Sequence, residues 1–189
     1  MLTPLRELKV QAEILHKRIA AGEPESLERL RALPQLRRAD APALAAMTAA
    51  ARRKHCLAVV AREHGFSSWE HAHRVLDGDR DERDFGTLLY ASSSMLNHWF
   101  ADYAEARAFL DDVPLDGPRR YLLVYKRHFF VADRHFVALL GMDPDDPDWE
   151  AIGWDWARPA NPAARERLYM RRLRAFKSHD RGSASGHAP

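Results

Sequence analysis

Helix-starting signals punctuate this chain from end to end. Thr3-Pro4 and Asn161-Pro162 each set a side-chain acceptor ahead of a proline, and Asp146-Pro147 repeats the arrangement. Proline's fixed φ and missing N–H suit the first helical position, and the preceding oxygen takes up an orphan N–H of the first turn. Pro24 and Pro42 open further helices. A chain divided in this way reads as a succession of short helices, each of which must present an apolar stripe to its neighbours.

The stripes are present. Leu5, Leu8, Ala12, Leu15 and Ile19 recur at three and four residues up to Gly22. Leu27, Leu30 and Leu33 follow, stopped by Pro34, and an alanine-rich helix runs from Ala41 to Ala51. The next helix extends to about His64 with Cys56, Val59 and Val60 on one face. Gly65 stands where a left-handed C-terminal residue belongs, with Phe66 as its hydrophobic contact. Ser67-Ser68-Trp69-Glu70 has capping-box spacing and starts a helix to about Leu76.

Asp77 to Asp84 contains no apolar residue and reads as a linker. Beyond it, Met95 to Leu110 reads as one long amphipathic helix, with Met95, Trp99, Ala106 and Leu110 on a stripe widened by Tyr103. Tyr121–Tyr125 and His128–Val131 are strand-like runs. No Asn-Gly or Asp-Gly lies between them, which argues against a tight hairpin. Asp133 caps a short helix to Leu140, with Gly141 beyond. The predicted fold is mainly α. A helical module occupies residues 1–78, and an α-rich domain with an aromatic cluster and a short β element occupies 85–177. A disordered tail fills 178–189, where Gly, Ser and Ala dominate.

Composition excludes several functions. The net charge of +2 does not suit a nucleic-acid coat. The single cysteine, Cys56, permits neither an internal disulfide nor a cysteine-based zinc site, and reads as a small buried apolar residue. No apolar run spans a bilayer, and no secretory core follows the charged N-terminal turns, so a cytoplasmic protein is expected. Dinucleotide-binding, phosphate-loop, Gly-x-Ser-x-Gly and His-Glu-x-x-His motifs are all missing, which argues against nucleotide-driven chemistry and the common hydrolase sites and leaves any cofactor unknown.

Ala58-Val59-Val60-Ala61-Arg62-Glu63-His64-Gly65-Phe66-Ser67-Ser68-Trp69, with Leu8-Lys9-Val10-Gln11-Ala12 ahead of it, resembles a bacterial helix–Gly-Phe-x-x-Trp–helix module. That module sits beside ankyrin repeats and other domains. The resemblance covers about the first 76 residues and makes them an adaptor-like module with no settled activity to carry over; no ankyrin repeat follows it here. The same segment imitates a helix-turn-helix through Leu57, Val60, Ala61, Gly65 and Ser67. In that motif His71 and Arg74 would have to face the core, whereas the apolar face is expected at Trp69, Ala72, Val75 and Leu76.

Four further constellations carry chemistry. His98, Asp102 and Glu105 fall on one face of the expected long helix. With His128 or His135 they would make a nitrogen–oxygen metal site of helical-bundle type. Asp143, Asp145, Asp146, Asp148 and Glu150 suggest calcium, but Pro144 and Pro147 interrupt the run and no glycine falls correctly, so Asp146 reads instead as a cap. Trp149, Trp154 and Trp156 with Asp155 and Arg158 either close a small core or line a ligand pocket, which would also draw on Asn97, His98 and His128. The last helix sets Arg165, Arg167, Arg171, Arg172, Arg174 and Lys177 against Leu168, Tyr169, Leu173 and Phe176. Such a helix either docks on its own protein or lies on nucleic acid or an anionic membrane.

The leading expectation is a non-catalytic binding or regulatory protein of bacterial type, its partner another protein. The alternatives are a small enzyme or metal-binding protein with its site near His98, His128 and Asp155, and nucleic-acid binding through the basic last helix.

Overall fold

The computed structural model describes residues 3–93, 95–112 and 117–183, and side chains as far as Ala175. The chain forms two compact units, Met1–Asp79 and Arg80–Pro189. The fold is mainly α with one small sheet among the described residues.

The first unit is helical throughout. It contains α1 (Pro4–Ala20), α2 (Pro24–Glu28), two short 3-10 turns, α3 (Ala41–Ala50), α4 (Arg53–Glu63) and α5 (Trp69–Asp77). The Thr3 hydroxyl caps α1 by accepting from the Arg6 N–H at 3.3 Å. Leu8, Ala12, Leu15 and Ile19 of α1 are buried, as are Cys56, Val59 and Val60 of α4 and Ala72, Val75 and Leu76 of α5. Burial pushes the Cys56 thiol above its ordinary range, consistent with an apolar packing role. α4 ends in a Schellman motif: Gly65 at φ 85° donates to the Arg62 carbonyl and Phe66 to the Ala61 carbonyl.

Two details of α5 differ from the sequence reading. The cap is Ser68, whose hydroxyl accepts from the His71 N–H at 3.1 Å, one residue later than the capping-box spacing placed it. His71 is buried and Trp69 only half-buried, so the buried face is rotated relative to the expected one. A histidine is tolerated inside because its Nδ1 accepts the Ser67 N–H at 3.0 Å and its ring meets Phe66 edge-on.

The second unit is built on a three-stranded antiparallel sheet of order β1-β3-β2, with β1 (His98–Phe100), β2 (Arg120–Tyr125) and β3 (His128–Asp133). Its helices are α6 (Tyr103–Asp111), α7 (Arg134–Leu139), α8 (Pro147–Ala151) and α9 (Pro162–Ser183). The long helix expected from Met95 to Leu110 is therefore two elements, an edge strand and α6. The break comes at Asp102, whose carboxylate accepts the Ala104 N–H at 2.7 Å and the Glu105 N–H at 3.2 Å and so starts a new helix.

The tight hairpin that the turn residues argued against is present, since Tyr125 pairs with His128 across a two-residue turn. Lys126 takes the left-handed conformation there, φ 52°, which normally calls for Gly or Asn. Phe85 and Gly86 hold it: the Phe85 N–H donates to the Lys126 carbonyl at 2.9 Å, and the Lys126 N–H to the Gly86 carbonyl at 2.7 Å. A clamp from a segment forty residues away is invisible to a local turn rule.

α6 covers one face of the sheet, packing Ala106 and Leu110 against Leu122 and Val131. On the other face Trp99 stacks on Phe130 at 4.7 Å, and Tyr121 meets Trp149 at 5.0 Å. Residues 178–183, read from composition as the start of the tail, continue α9, because no proline or glycine interrupts the helix before Gly182. Residues 184–189 lie outside the described residues, as do the side chains of Phe176 and Lys177.

Candidate functional site

Strand alternation decides which of the sequence candidates can meet. His98 pairs with Val131, so it shares the sheet face of Val131 and Phe129. His128 stands three positions from Val131 on the same strand, and an odd separation places it on the opposite face. The proposed metal set of His98, Asp102, Glu105 and His128 is thus not assembled. Asp102 spends its carboxylate on the α6 cap, and the His98 ring lies 4.5 Å from Phe109. Asn97 is half-buried just ahead of β1, and His135, on α7, sits 3.5 Å from Asp133. Among the described residues no three His, Cys, Asp or Glu side chains are placed to hold a metal ion.

The tryptophan-rich segment is likewise divided. The Leu122 N–H donates to the Trp154 carbonyl and the Trp156 N–H to the Leu122 carbonyl, so Asp155 forms a parallel bridge on the outer edge of β2. Asp155 points to the α6 face, where one oxygen accepts the Tyr103 hydroxyl at 2.6 Å and the other the Arg158 N–H at 2.9 Å. Arg107 approaches the Tyr103-bound oxygen at 3.5 Å and is itself held by Asp111 at 2.7 Å. Burial, reinforced by the hydrogen bond to Asp155, pushes the Tyr103 phenol up to about 12. Asp155 is buried and fully engaged, an anchor between α6 and the sheet edge. Tyr103 and Arg107 were not singled out from sequence as its partners, since fifty residues separate them and only the bridge to Leu122 brings them together.

Trp156 goes to the other side, fully buried between Trp149 at 5.5 Å and Tyr169 at 4.8 Å. Trp149 and Trp156 close the core. Trp154 differs from both: it is only half-buried, and its backbone is left-handed at φ 52°. A bulky residue in that region costs energy and persists only where its surroundings over-determine it. Here α8 ends in a Schellman motif, with Gly153 donating to the Glu150 carbonyl and Trp154 to the Trp149 carbonyl at 2.8 Å, while the Trp154 carbonyl is fixed by Leu122.

Trp154 thereby lines an open groove of about 500 Å³ with Arg119, Tyr121, Arg134, Asp145 and Glu150. The Arg119 guanidinium lies 4.1 Å from the Trp154 ring centroid. On the opposite face Arg158, exposed, lies 3.9 Å from the Tyr103 ring. No family model, no curated protein and no solved structure matches this chain.

The acidic run and the basic helix turn out to serve each other. Asp146 caps α8 through the Asp148 N–H and pairs with Arg171 at 2.8 Å. Asp148 accepts from Arg167 at 3.0 and 3.1 Å and also from Arg171. These guanidinium bonds, Arg167's foremost, hold the Asp148 carboxyl below its ordinary range. Arg172 is buried and donates to the Leu88 and Leu140 carbonyls at 2.9 and 2.8 Å, and burial brings it down to about 10. Arg165 reaches the Trp156 carbonyl. The expected basic face of the last helix thus becomes mostly a set of internal bonds that dock α9.

Proposed function

We propose that this chain is a non-catalytic binding protein whose second unit presents the Trp154 groove to its partner. The observation that carries the reading is Trp154 itself, a large aromatic held half-exposed in a costly left-handed conformation beside a groove in the size range of ligand sites. The neighbouring carboxylate, Asp155, is buried with both oxygens bound and serves to hold the segment. The first unit, through its likeness to the bacterial helix–Gly-Phe-x-x-Trp–helix module, acts in this reading as an adaptor. The partner is another protein, and the setting is the cytoplasm. Among the described residues no helix is long and apolar enough to cross a membrane.

The test compares tagged wild-type chain with Trp154→Ala, folded to the same degree by circular dichroism, in quantitative mass spectrometry of what each retains from bacterial extract. The expected result is a defined partner whose recovery falls at least fivefold in the variant. Identical recoveries, or a turnover activity of the purified chain that Asp155→Asn abolishes, would refute the proposal.

A further inference from the structure

The groove beside Trp154 is polar and not evenly charged. Arg134 is already engaged by Asp145 at 2.6 Å, and Asp146 by Arg171. Arg119 is exposed and, among the described residues, has no carboxylate within ion-pair distance. Its guanidinium lies over the Trp154 ring, a cation–π contact that uses none of its N–H groups. The N–H fork stays available to a two-oxygen acceptor. The contact reduces the usual entropic cost of ordering a long side chain on binding.

The remaining groups select among anions. Glu150 is exposed on the rim of the same groove, and Asp145 closes another part of it. A phosphate, with its second charge, meets these carboxylates unfavourably, whereas a single carboxylate satisfies Arg119 at less repulsion. An open groove of about 500 Å³ also has room for more than one small ion.

We infer that Arg119, stacked on Trp154, receives a carboxylate of an acidic peptide segment laid in this groove. The inference rests on the binding reading above and names the chemistry of the partner. It uses the guanidinium as a pre-positioned clamp and needs no change in Asp155 or the core.

The experiment is isothermal titration of the full chain with the blocked peptide Ac-Gly-Asp-Ala-Gly-NH2, which carries one carboxylate. Its Asn counterpart, sodium acetate and inorganic phosphate serve as separate probes. The acidic peptide should bind at least tenfold more tightly than the amide peptide, acetate or phosphate, and its affinity should fall as salt is raised. Arg119→Gln should remove the preference, and Arg119→Lys should weaken it several-fold, because an ammonium keeps the charge but loses the planar fork. Arg127→Gln, at the hairpin turn, should leave it unchanged. Equal binding of acidic and amide peptides, indifference to Arg119→Gln, or acetate or phosphate matching the acidic peptide would overturn the inference. If Arg119→Gln is silent while Trp154→Ala still loses its cellular partner, the carboxylate assignment falls and the binding proposal stands.

Discussion

Replacing Asp155 by alanine should unfold the second unit at distinctly lower denaturant. The wild-type carboxylate is buried and accepts the Tyr103 hydroxyl at 2.6 Å and the Arg158 N–H at 2.9 Å, with Arg107 at 3.5 Å. A hydrogen bond to a charged group contributes about 1.5–3 kcal/mol net, and a donor left without a partner costs ~1–3 kcal/mol when water cannot reach it. Arg158 is exposed and Tyr103 half-buried, so both recover part of the loss from solvent, and Arg107 keeps Asp111. The working figure is therefore about 3 kcal/mol for Asp155→Ala and about 1.5 kcal/mol for Tyr103→Phe. Urea unfolding of the two single variants and the double variant yields the coupling directly. It should be at least about 1 kcal/mol, because each partner's loss already removes what the other would lose. Strict additivity, or a cost for Asp155→Ala below about 0.5 kcal/mol, the ordinary range for surface changes, would refute the anchoring role. The Tyr103 phenol supplies a second readout. Its folded pKa lies above the ordinary value of 10, so its contribution is complete below pH 10 and is lost as pH rises toward about 12. Asp155→Asn should move its titration downward.

Gly141 and Gly153 offer a matched pair in the same unit. Both are left-handed, but a Cβ on Gly141 would meet the Ala175 Cβ at 2.7 Å, whereas one on Gly153 would meet nothing within 4 Å. Gly153→Ala should cost ~1–2 kcal/mol from backbone strain alone, and Gly141→Ala a further ~1–3 kcal/mol from overpacking, read as a difference in urea midpoints. Equal costs would mean that α9 does not pack against Gly141 as described. Acid should act through Asp148, whose folded pKa lies below its unfolded value. Its contribution is complete above the ordinary value of 3.8 and is lost as pH falls through the lowered folded value. Thermal stability measured from neutral pH downward should therefore lose this contribution only below about pH 4, and Asp148→Asn should make that acid limb shallower.

The helical skeleton was legible because its causes are local. Thr3-Pro4, Asp146-Pro147 and Asn161-Pro162 each satisfy a helix N-terminus within three residues, and the stripe Leu8, Ala12, Leu15, Ile19 follows from helical geometry alone. Gly65 and Phe66 mark a helix end by the same short-range chemistry. The mainly α class followed from these signals, and the small β element from the aromatic and valine-rich runs Tyr121–Tyr125 and His128–Val131.

What failed was whatever depended on a distant partner. Trp99 fits a helical stripe with Ala106 as well as it fits an edge strand, and the pairing of β1 with β3 decides between them. Lys126 enters a tight turn because Phe85 and Gly86 hold it there. Six residues of spacing cannot say that Trp149 and Trp156 become core while Trp154 is left at a groove, since that division follows from the bridge between Asp155 and Leu122. The amino-acid order by itself determined where helices begin and which faces are greasy, because those are interactions over three or four residues. Tertiary structure alone decided which polar side chains are consumed as anchors and which stay exposed. Burial and ion pairing are settled only when elements far apart in sequence pack together.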